Sequence, residues 1–385
     1  MASGGPGSSG SPPGPADAAD GEGAGLTGLA ADLIERGLRS GLAAAGIAST
    51  DVFESTREDL RRRKQQGLSA EMQFTYRNPE RSTDPGRIVP GARALVVGAW
   101  SYRHEDDSTG VPVRIQPTRP RGRVARYARS DHYSALRQAL SVVAGELRHR
   151  GWSATVVCDD NRLVDRAAAH RAGLGWFGKN SLLLLPGRGS WFVLGSVVTD
   201  APLPPSAPRG GPPHAEGCGR CTRCMTACPT GAIVAPGVLD ARRCLAWLVQ
   251  APGPFPPRYR KALGDRIYGC DECQQVCPIN KVADRKDPPG PAPSGDRPWV
   301  DLLSLLDAPD GELMAEHGRW YIPGRDPRYL RRNALVALGN TGDGGDPATV
   351  AALRRWLSAD DDLLAEHARW AAVALGRPDL VTEAG

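Results

Sequence analysis

At 385 residues the chain is long enough to bury large cores and is expected to hold two or three domains. Hydrophobic residues make up 41% and charged residues 24%, the balance of an ordinary soluble globular protein. A net charge of +5 permits a polyanionic partner without demanding one, and no apolar stretch reaches the roughly 18 residues that span a bilayer.

The opening residues 1–24, rich in Gly, Ser, Pro and Ala, carry neither a basic region nor an apolar core of a secretory signal and read as a disordered tail. A cytoplasmic, reducing location is therefore expected. From Gly25 to Ile47, Leu29, Leu33, Leu38 and Leu42 recur at helical spacing. A second helical stretch, Ser55 to Gln66, is rich in Arg and Lys. ALVVGAW (94–100), SATVVC (153–158) and SWFVLGSVVT (190–199) are apolar runs of strand type, separated by helical periodicity over residues 134–150 and 163–172. Strands alternating with helices predict an α/β layer with a largely parallel sheet. In such a sheet, ligands bind beyond the carboxyl ends of strands, where Asp159, Asp160 and the Gly-punctuated loop AGLGWFGKN (172–180) fall. Arg114, Arg119, Arg121, Arg123, Arg126 and Arg129 form a basic run that is either a solvated loop or a phosphate-contacting surface.

Eight cysteines follow within residues 218–277. Cys218, Cys221, Cys224 and Cys228, closed by Pro229, reproduce the C-x2-C-x2-C-x3-C-P run of bacterial two-cluster ferredoxins, whose fourth cysteine ligates the other cluster. Cys277, the matching last member of the run Cys270, Cys273 and Cys277, should then cross back. One cluster would take Cys218, Cys221, Cys224 and Cys277. The other would take Cys228, Cys270 and Cys273, with Cys244 as the remaining nearby thiolate. Zinc ribbons also use C-x2-C pairs, but three cysteines at successive spacings of three suit a cuboidal cluster better than one tetrahedral ion. Disulfides would need an oxidising compartment. Cys158, the ninth cysteine, ends an apolar strand and reads as a core thiol.

Pro-rich residues 201–213 enter the cysteine module, and residues 286–297 form a Pro/Gly linker behind it. Beyond that, RRNALVALG (331–339) and HARWAAVALG (367–376) align at a spacing near 40 residues, which points to a HEAT-like helical array. The expected domains are a tail (1–24), an α/β domain (25–200), a two-cluster module (201–285), a linker (286–297) and a helical segment (298–385).

The segments CDDNRLVDRAAAHRAGLGWFGKNSLLL, GSWFVLG, GCGRCTRCMTACPTGAI, LDARRCLAWL, YGCDECQQVCPIN and RRNALVALGN occur in the order found in epoxyqueuosine reductases, and from residue 67 to 340 the chain resembles that family. The resemblance implies an α/β cobalamin-binding domain, two 4Fe-4S clusters delivering single electrons to cobalt, and reduction of epoxyqueuosine in tRNA to queuosine. It implies that Asp159 donates the proton and that Asp159, Gly175, Lys179, Asn180, Ser190 and Leu194 contact cobalamin. No D-x-H-x-x-G corrinoid motif is present. A carboxylic acid can act as the donor only if burial or a like charge, for which Asp160 is the candidate, raises its pKa; otherwise Asp159 would cap the following helix. Arg331 and Arg332, with the run ending at Arg129, are candidate tRNA contacts. Where the family usually reads Asp-Tyr-His, this chain has Asp131, His132 and Tyr133. A monomer with an unidentified low-potential electron donor and no membrane partner is expected. Two other functions are compatible with parts of the pattern: a reductive dehalogenase, which commonly carries a twin-arginine signal not seen before Arg36, and a ferredoxin-like electron carrier, which would need neither Asp159 nor the loop at 172–180.

Overall fold

The structure is a computed structural model that describes residues 15–105, 119–206 and 215–384. Arg114, residues 1–14 and part of the Pro-rich entry to the cysteine module lie outside these. The first helix runs Pro15–Arg39, so residues 15–24 join it rather than the expected tail. In chain order the strands are β1 (Ala44–Ser49), β2 (Ala94–Ser101), β3 (Arg121–Val124), β4 (Ala154–Cys158), β5 (Trp176–Phe177), β6 (Leu183–Leu184), β7 (Phe192–Thr199), β8 (Ile233–Ala235), β9 (Val238–Leu239), β10 (Arg266–Tyr268) and β11 (Trp299–Asp301).

The main sheet has the order β1-β2-β7-β4, and all three pairings are antiparallel. The expected parallel sheet is thus corrected. The reason lies in the side chains, which alternate between two buried faces. Val96, Val193 and Val197 pack with Leu33, Leu136, Leu140 and Val143 from the helices Pro15–Arg39 and His132–His149. Leu95, Val97, Leu194 and Val198 pack on the other side with Ala167 and Ala168 of the helix Asp165–Arg171. Strands covered on both faces read as continuous apolar runs whichever way they point, and such runs are the usual mark of parallel sheets. β1 also takes Gly46 close to the opposite helix end, where an added Cβ would meet the Ala172 carbonyl oxygen at 2.6 Å.

A second sheet, β10-β3-β11, draws one strand from each of the three expected domains. Its core joins Val124 and Ala128 to Ile267 and Tyr268 and to the helical segment through Leu302, Leu306, Leu330 and Leu335. The chain between 119 and 129 therefore packs with the cysteine module and the helices rather than with the main sheet alone.

The C-terminal helices Arg328–Thr341, Pro347–Leu357 and Asp362–Ala374 start on local caps where the sequence offers them. Asp346 Oδ2 accepts from Thr349 N at 2.8 Å, with Pro347 opening the helix, and Asp361 Oδ1 accepts from Leu364 N at 3.0 Å. Helices 328–341 and 362–374 pack closely, and Gly339 is required there because a Cβ would meet the Trp370 ring at 2.7 Å.

Arg332 is wholly buried and donates to the carbonyls of Ala251 (2.7 Å), Gly253 (2.6 Å) and Leu248 (3.0 Å), and to Asn333 Oδ1 (2.8 Å). Burial lowers its pKa to about 10. The neutral carbonyls solvate a buried cation that has no carboxylate beside it. Arg332→Leu should leave those carbonyls unsatisfied and cost about 3 kcal/mol in denaturant unfolding; a loss below about 1 kcal/mol would show that water reaches them instead.

Candidate active site and metal centres

The two cysteine runs fold as short turns. Cys221 N donates to Cys218 O at 3.0 Å and Cys277 N to Gln274 O at 3.1 Å, while Cys244 and Cys277 stand at the starts of the helices Leu245–Leu248 and Pro278–Lys286. All eight thiols are half-buried, whereas Cys158 is buried in the core of the main sheet, away from both runs. Burial raises the Cys224 pKa, and Cys218, Cys277 and Cys221 raise it further; Cys277 is raised by burial and then by Cys218 and Cys221. Burial pushes Cys270 up to about 11, with Cys244 adding, and raises Cys273 strongly, with Cys270 and Cys244 adding. Cys244 in turn feels burial first and then Cys228. Cys224 and Cys277 thus feel Cys218 and Cys221, while Cys270 and Cys273 feel Cys244, which feels Cys228; Cys273 also feels Cys224. Thiols crowded in this way resist ionisation until bound metal stabilises the thiolates. Among the described residues no three His, Cys, Asp or Glu side chains come together to hold a single metal ion.

The loop 172–180 is turned towards these cysteines. Lys179 Nζ donates to Gly219 O at 2.7 Å, between Cys218 and Cys221, and Asn180 Nδ2 reaches Cys273 O at 3.5 Å. Gly175 is a packing glycine, since a Cβ would meet Leu184 O of the β5-β6 hairpin at 2.1 Å. Ser190 is buried beneath the second run. Its N–H donates to Asn280 Oδ1 at 2.7 Å, its hydroxyl accepts from Asn280 Nδ2 at 3.1 Å, and its carbonyl accepts from Gln274 Nε2 at 3.0 Å. Leu194 sits in the sheet core facing Ala167 and Leu163. The side-chain polar groups of Lys179 and Ser190, expected to face a cofactor, are therefore spent on the cysteine module. Buried polar atoms without a protein partner do lie around the same loop: Trp176 Nε1, Ser181 Oγ and Asp165 Oδ1. Ser181 and Asp165 belong together because Arg166 Nη1, beside Asp165, donates to Ser181 O at 2.6 Å.

Asp159 follows β4 with φ of 51°, in the left-handed region that aspartate tolerates better than most residues. It is open to solvent, yet enough protein surrounds it that burial raises its pKa, with Arg137 opposing and Asp160 adding. Asp160 is a minor cause: Arg162 hydrogen-bonds it, with Nη2 to Oδ2 at 2.7 Å, and holds it low. Asp159 does not cap the next helix, whose first turn follows Val164 without a side-chain cap. Arg137 Nη2 donates to Cys158 O at 3.3 Å. Burial raises Tyr133 well above its usual value, and the charges of Asp159, Asp165 and Cys158 raise it further. Asp131 caps the helix His132–His149, and burial lowers the buried His132 to about 4. Tyr133, Arg137 and Asp165, which share charge interactions with Asp159, were not among the expected site residues. The only sequence signal was the Asp-His-Tyr order, which places the tyrosine one residue after the usual position.

The candidate nucleic-acid arginines are mostly structural. Arg332 is buried as described, and Arg331 is spent on Ala308 O at 2.7 Å and Asp310 at 2.6 Å. In the run ending at Arg129, Arg123 pairs with Asp265 and Glu272, Arg126 stacks over Trp191, and Arg129 is buried with Nε on Val124 O. Arg119 and Arg121 remain on the surface. These arginines join modules, so the candidates at Arg331, Arg332 and Arg129 are withdrawn as exposed phosphate contacts.

Comparison with known proteins adds three findings. Residues 217–280 match a 4Fe-4S double cluster binding domain. Epoxyqueuosine reductases from Xanthomonas campestris and Bacillus subtilis are 34% and 31% identical, over 90% and 92% of this chain and 96% and 90% of theirs. A crystal structure of epoxyqueuosine reductase with an epoxyqueuosine-modified tRNA-Tyr stem loop superposes with a TM-score of 0.80 at 29% identity, covering 93% of this chain and 94% of that one. The Bacillus subtilis structure with its catalytic aspartate loop swung out of the active site gives 0.79 at 30% identity, over 93% and 94%.

Cys277→Ala tests the cysteine neighbourhoods. After anaerobic reconstitution with iron and sulfide the wild type should bind about eight irons. The variant should lose the cluster associated with Cys218, Cys221 and Cys224 while keeping the other; retention of the full complement would refute the crossover.

Proposed function

This chain belongs to the epoxyqueuosine reductase family, and we propose from that premise that it reduces the epoxide of epoxyqueuosine in tRNA to the alkene of queuosine. The observation that carries the reading is Asp159. An exposed carboxyl group whose pKa burial raises stands at the end of β4, on the domain whose loop 172–180 is hydrogen-bonded to the cysteine turns. An electron carrier has no use for such an acid.

The reaction takes two electrons and two protons: the two C–O bonds of the epoxide break, a C=C bond forms and the oxygen leaves as water. The residues 217–280 supply 4Fe-4S clusters. We assign Cys218, Cys221, Cys224 and Cys277 to one and Cys228, Cys244, Cys270 and Cys273 to the other, supported by their electrostatic neighbourhoods. Cobalamin, when bound, would supply one-electron cobalt chemistry at the epoxide carbons. The chain fits a cofactor of that amide-rich kind in offering Ser181 Oγ and Asp165 Oδ1 as buried polar atoms in want of partners. Gly175, Lys179, Asn180, Ser190 and Leu194 would hold it through backbone and shape, with the Lys179 and Ser190 side chains fixing the cluster module behind. Asp159 gives its proton to the departing oxygen, which needs an acid as the C–O bond opens. Burial keeps that proton in place to higher pH than a solvated carboxylate would allow.

The C-terminal helices form a HEAT-like array that supports the tRNA, an assignment favoured by the alternation of helices 328–341, 347–357 and 362–374. Among the described residues no helix is long and apolar enough to cross a membrane. A cytoplasmic monomer reduced by a separate low-potential donor completes the proposal.

Asp159→Asn should keep iron content and tRNA affinity while turnover falls by about 100-fold or more; near-normal turnover would exclude it as the acid. Turnover of the wild type should decline as pH rises through the raised Asp159 pKa, because the protonated form is the working one. Arg137→Gln removes a charge that lowers this pKa, so its decline should shift to higher pH. In a strain lacking this gene, nucleosides from tRNA should contain epoxyqueuosine in place of queuosine by mass spectrometry, and unchanged queuosine would contradict the function.

A further inference from the structure

Residues 217–283 hold nine Arg and Lys against four Asp and Glu, an excess of five that equals the net charge of the whole chain. The four acids are all engaged within the molecule. Asp240, its side chain 4% exposed, pairs with Arg242 and Arg243, Asp265 pairs with Arg123, and Glu272 pairs with Arg123 and Arg266. Asp271 is buried and accepts from Arg126 N at 2.7 Å. Of the nine cations, Arg260 and Arg266 pair inward, while the other seven are exposed. The surface of the cysteine module is therefore positive.

Two of these cations share a helix face over the cysteines assigned to the second cluster. In the helix Pro257–Leu263, Arg260 and Leu263 turn inward; Arg260 donates to Phe255 O at 3.0 Å and to Glu366 at 2.7 Å. Arg258 and Lys261, three residues apart, are exposed on the same face and have no carboxylate partner among the described residues. Arg258 lies over the Tyr259 ring at 4.8 Å and Lys261 over the Trp370 ring at 5.4 Å. Beneath the helix, Phe255 and Leu263 pack in one core with Leu245 and Leu248, and Tyr259 and Cys270 pack against that core. Cys244 stands at the start of the helix that carries Leu245, and Arg242 and Arg243, each about half exposed, immediately precede it. One layer of side chains thus separates Arg258 and Lys261 from Cys270, with Cys244 at its edge. The loop 172–180 meets the module elsewhere, at Gly219 and at the Cys273 carbonyl.

We propose that Arg242, Arg243, Arg258 and Lys261 form the docking surface for a soluble one-electron carrier protein with an acidic face, which reduces the second cluster. The carrier is oxidised by one electron and the cluster reduced by one, with no bond formed or broken. Opposite charges steer such an encounter and fix its orientation, and electron-transfer partners meet over small, short-lived interfaces that need no large apolar contact. A cluster with its four thiolates is itself an anion, so an acidic carrier would be repelled without cations over it. Arginine also suits RNA phosphate, but these cations stand over cysteines through which electrons enter, and that placement favours the carrier. The assignment rests on the cluster ligands proposed above and gives the separate donor a chemistry and a place.

The probe is a plant-type ferredoxin, a small acidic one-electron carrier, used with the full-length protein reconstituted with iron and sulfide. Anisotropy of the labelled ferredoxin gives its affinity, and anaerobic stopped-flow spectroscopy gives the rate at which the reduced ferredoxin passes its electron on. The double variant Arg258→Glu with Lys261→Glu should lose about tenfold in both at low salt, with a flatter salt dependence, while reduction by methyl viologen, a small cation, keeps its wild-type rate. Arg258→Gln with Lys261→Gln should fall between, and both variants should hold as much iron as the wild type. Arg39→Glu with Arg87→Glu, an equal charge change outside the module, should stay within about twofold of the wild type. Unchanged affinity and rate in the first variant would overturn the proposal, as would an equal loss in the Arg39 and Arg87 variant, which would show a response to net charge alone. Loss of iron in both module variants would make the cations supports of the cluster instead. Weaker binding of an epoxyqueuosine stem-loop with ferredoxin transfer unchanged would assign the surface to RNA. A wild type that viologen reduces and ferredoxin neither binds nor reduces would exclude the acidic carrier. None of these readouts uses epoxide turnover, so the docking surface and the proposed reaction fail separately.

Discussion

Asn280, a side chain only 1% exposed, is the joint on which the site depends. It stands three residues beyond Cys277, and its amide is shared between the two parts that must meet. Oδ1 accepts from Ser190 N at 2.7 Å, while Nδ2 donates to Gln274 O at 2.9 Å and Ser190 Oγ at 3.1 Å. Gln274 then reaches the Ser190 carbonyl and the Tyr102 hydroxyl. A buried network satisfied on this many sides admits few alternative arrangements, because each misplaced member leaves a polar atom without a partner. Gly189 shows how tight the joint is: a Cβ there would stand 2.1 Å from Asn280 Oδ1. The second cysteine run is thereby fixed to the end of β7, and Lys179 fixes the first run to the neighbouring loop. The two cysteine runs and the loop 172–180 are thereby held in one frame.

The rest of the molecule serves that frame. The main sheet buries both faces and so presents its strand ends, with Asp159 and the loop 172–180, as fixed points. The β10-β3-β11 sheet and the Arg332 carbonyl cage bind the helical segment to the cysteine module. Most of the basic excess that could have addressed RNA in general is used internally, as Arg123, Arg129, Arg331 and Arg332 show.

Legibility from sequence followed the range of the interactions. The cysteines could be read because turn geometry confines cluster ligands to spacings of three or four residues, and that local pattern is what proposes the crossover of Cys277. Asp159 was singled out by resemblance, while the dominance of burial over Asp160 in raising its pKa depends on packing that its sequence neighbours do not show. Strand direction was not legible, because two-sided burial erases the alternation that distinguishes antiparallel sheets. The structural partners of Lys179 and Ser190 were not legible for a related reason. Sequence places them beside the cofactor loop, while their partners Gly219 and Asn280 lie 40 and 90 residues away. Arg331 and Arg332 resembled surface cations until the structure buried them.

The central claim is that acid and clusters in this one chain suffice to remove the epoxide oxygen. It is tested most directly by a single anaerobic turnover. Protein reconstituted with iron, sulfide and cobalamin is chemically reduced, mixed with an epoxyqueuosine-bearing tRNA stem-loop, and the nucleosides are weighed by mass spectrometry. The account predicts a nucleoside lighter by one oxygen that co-elutes with queuosine. Recovery of epoxyqueuosine unchanged, from protein that carries both clusters and binds the stem-loop, would contradict it.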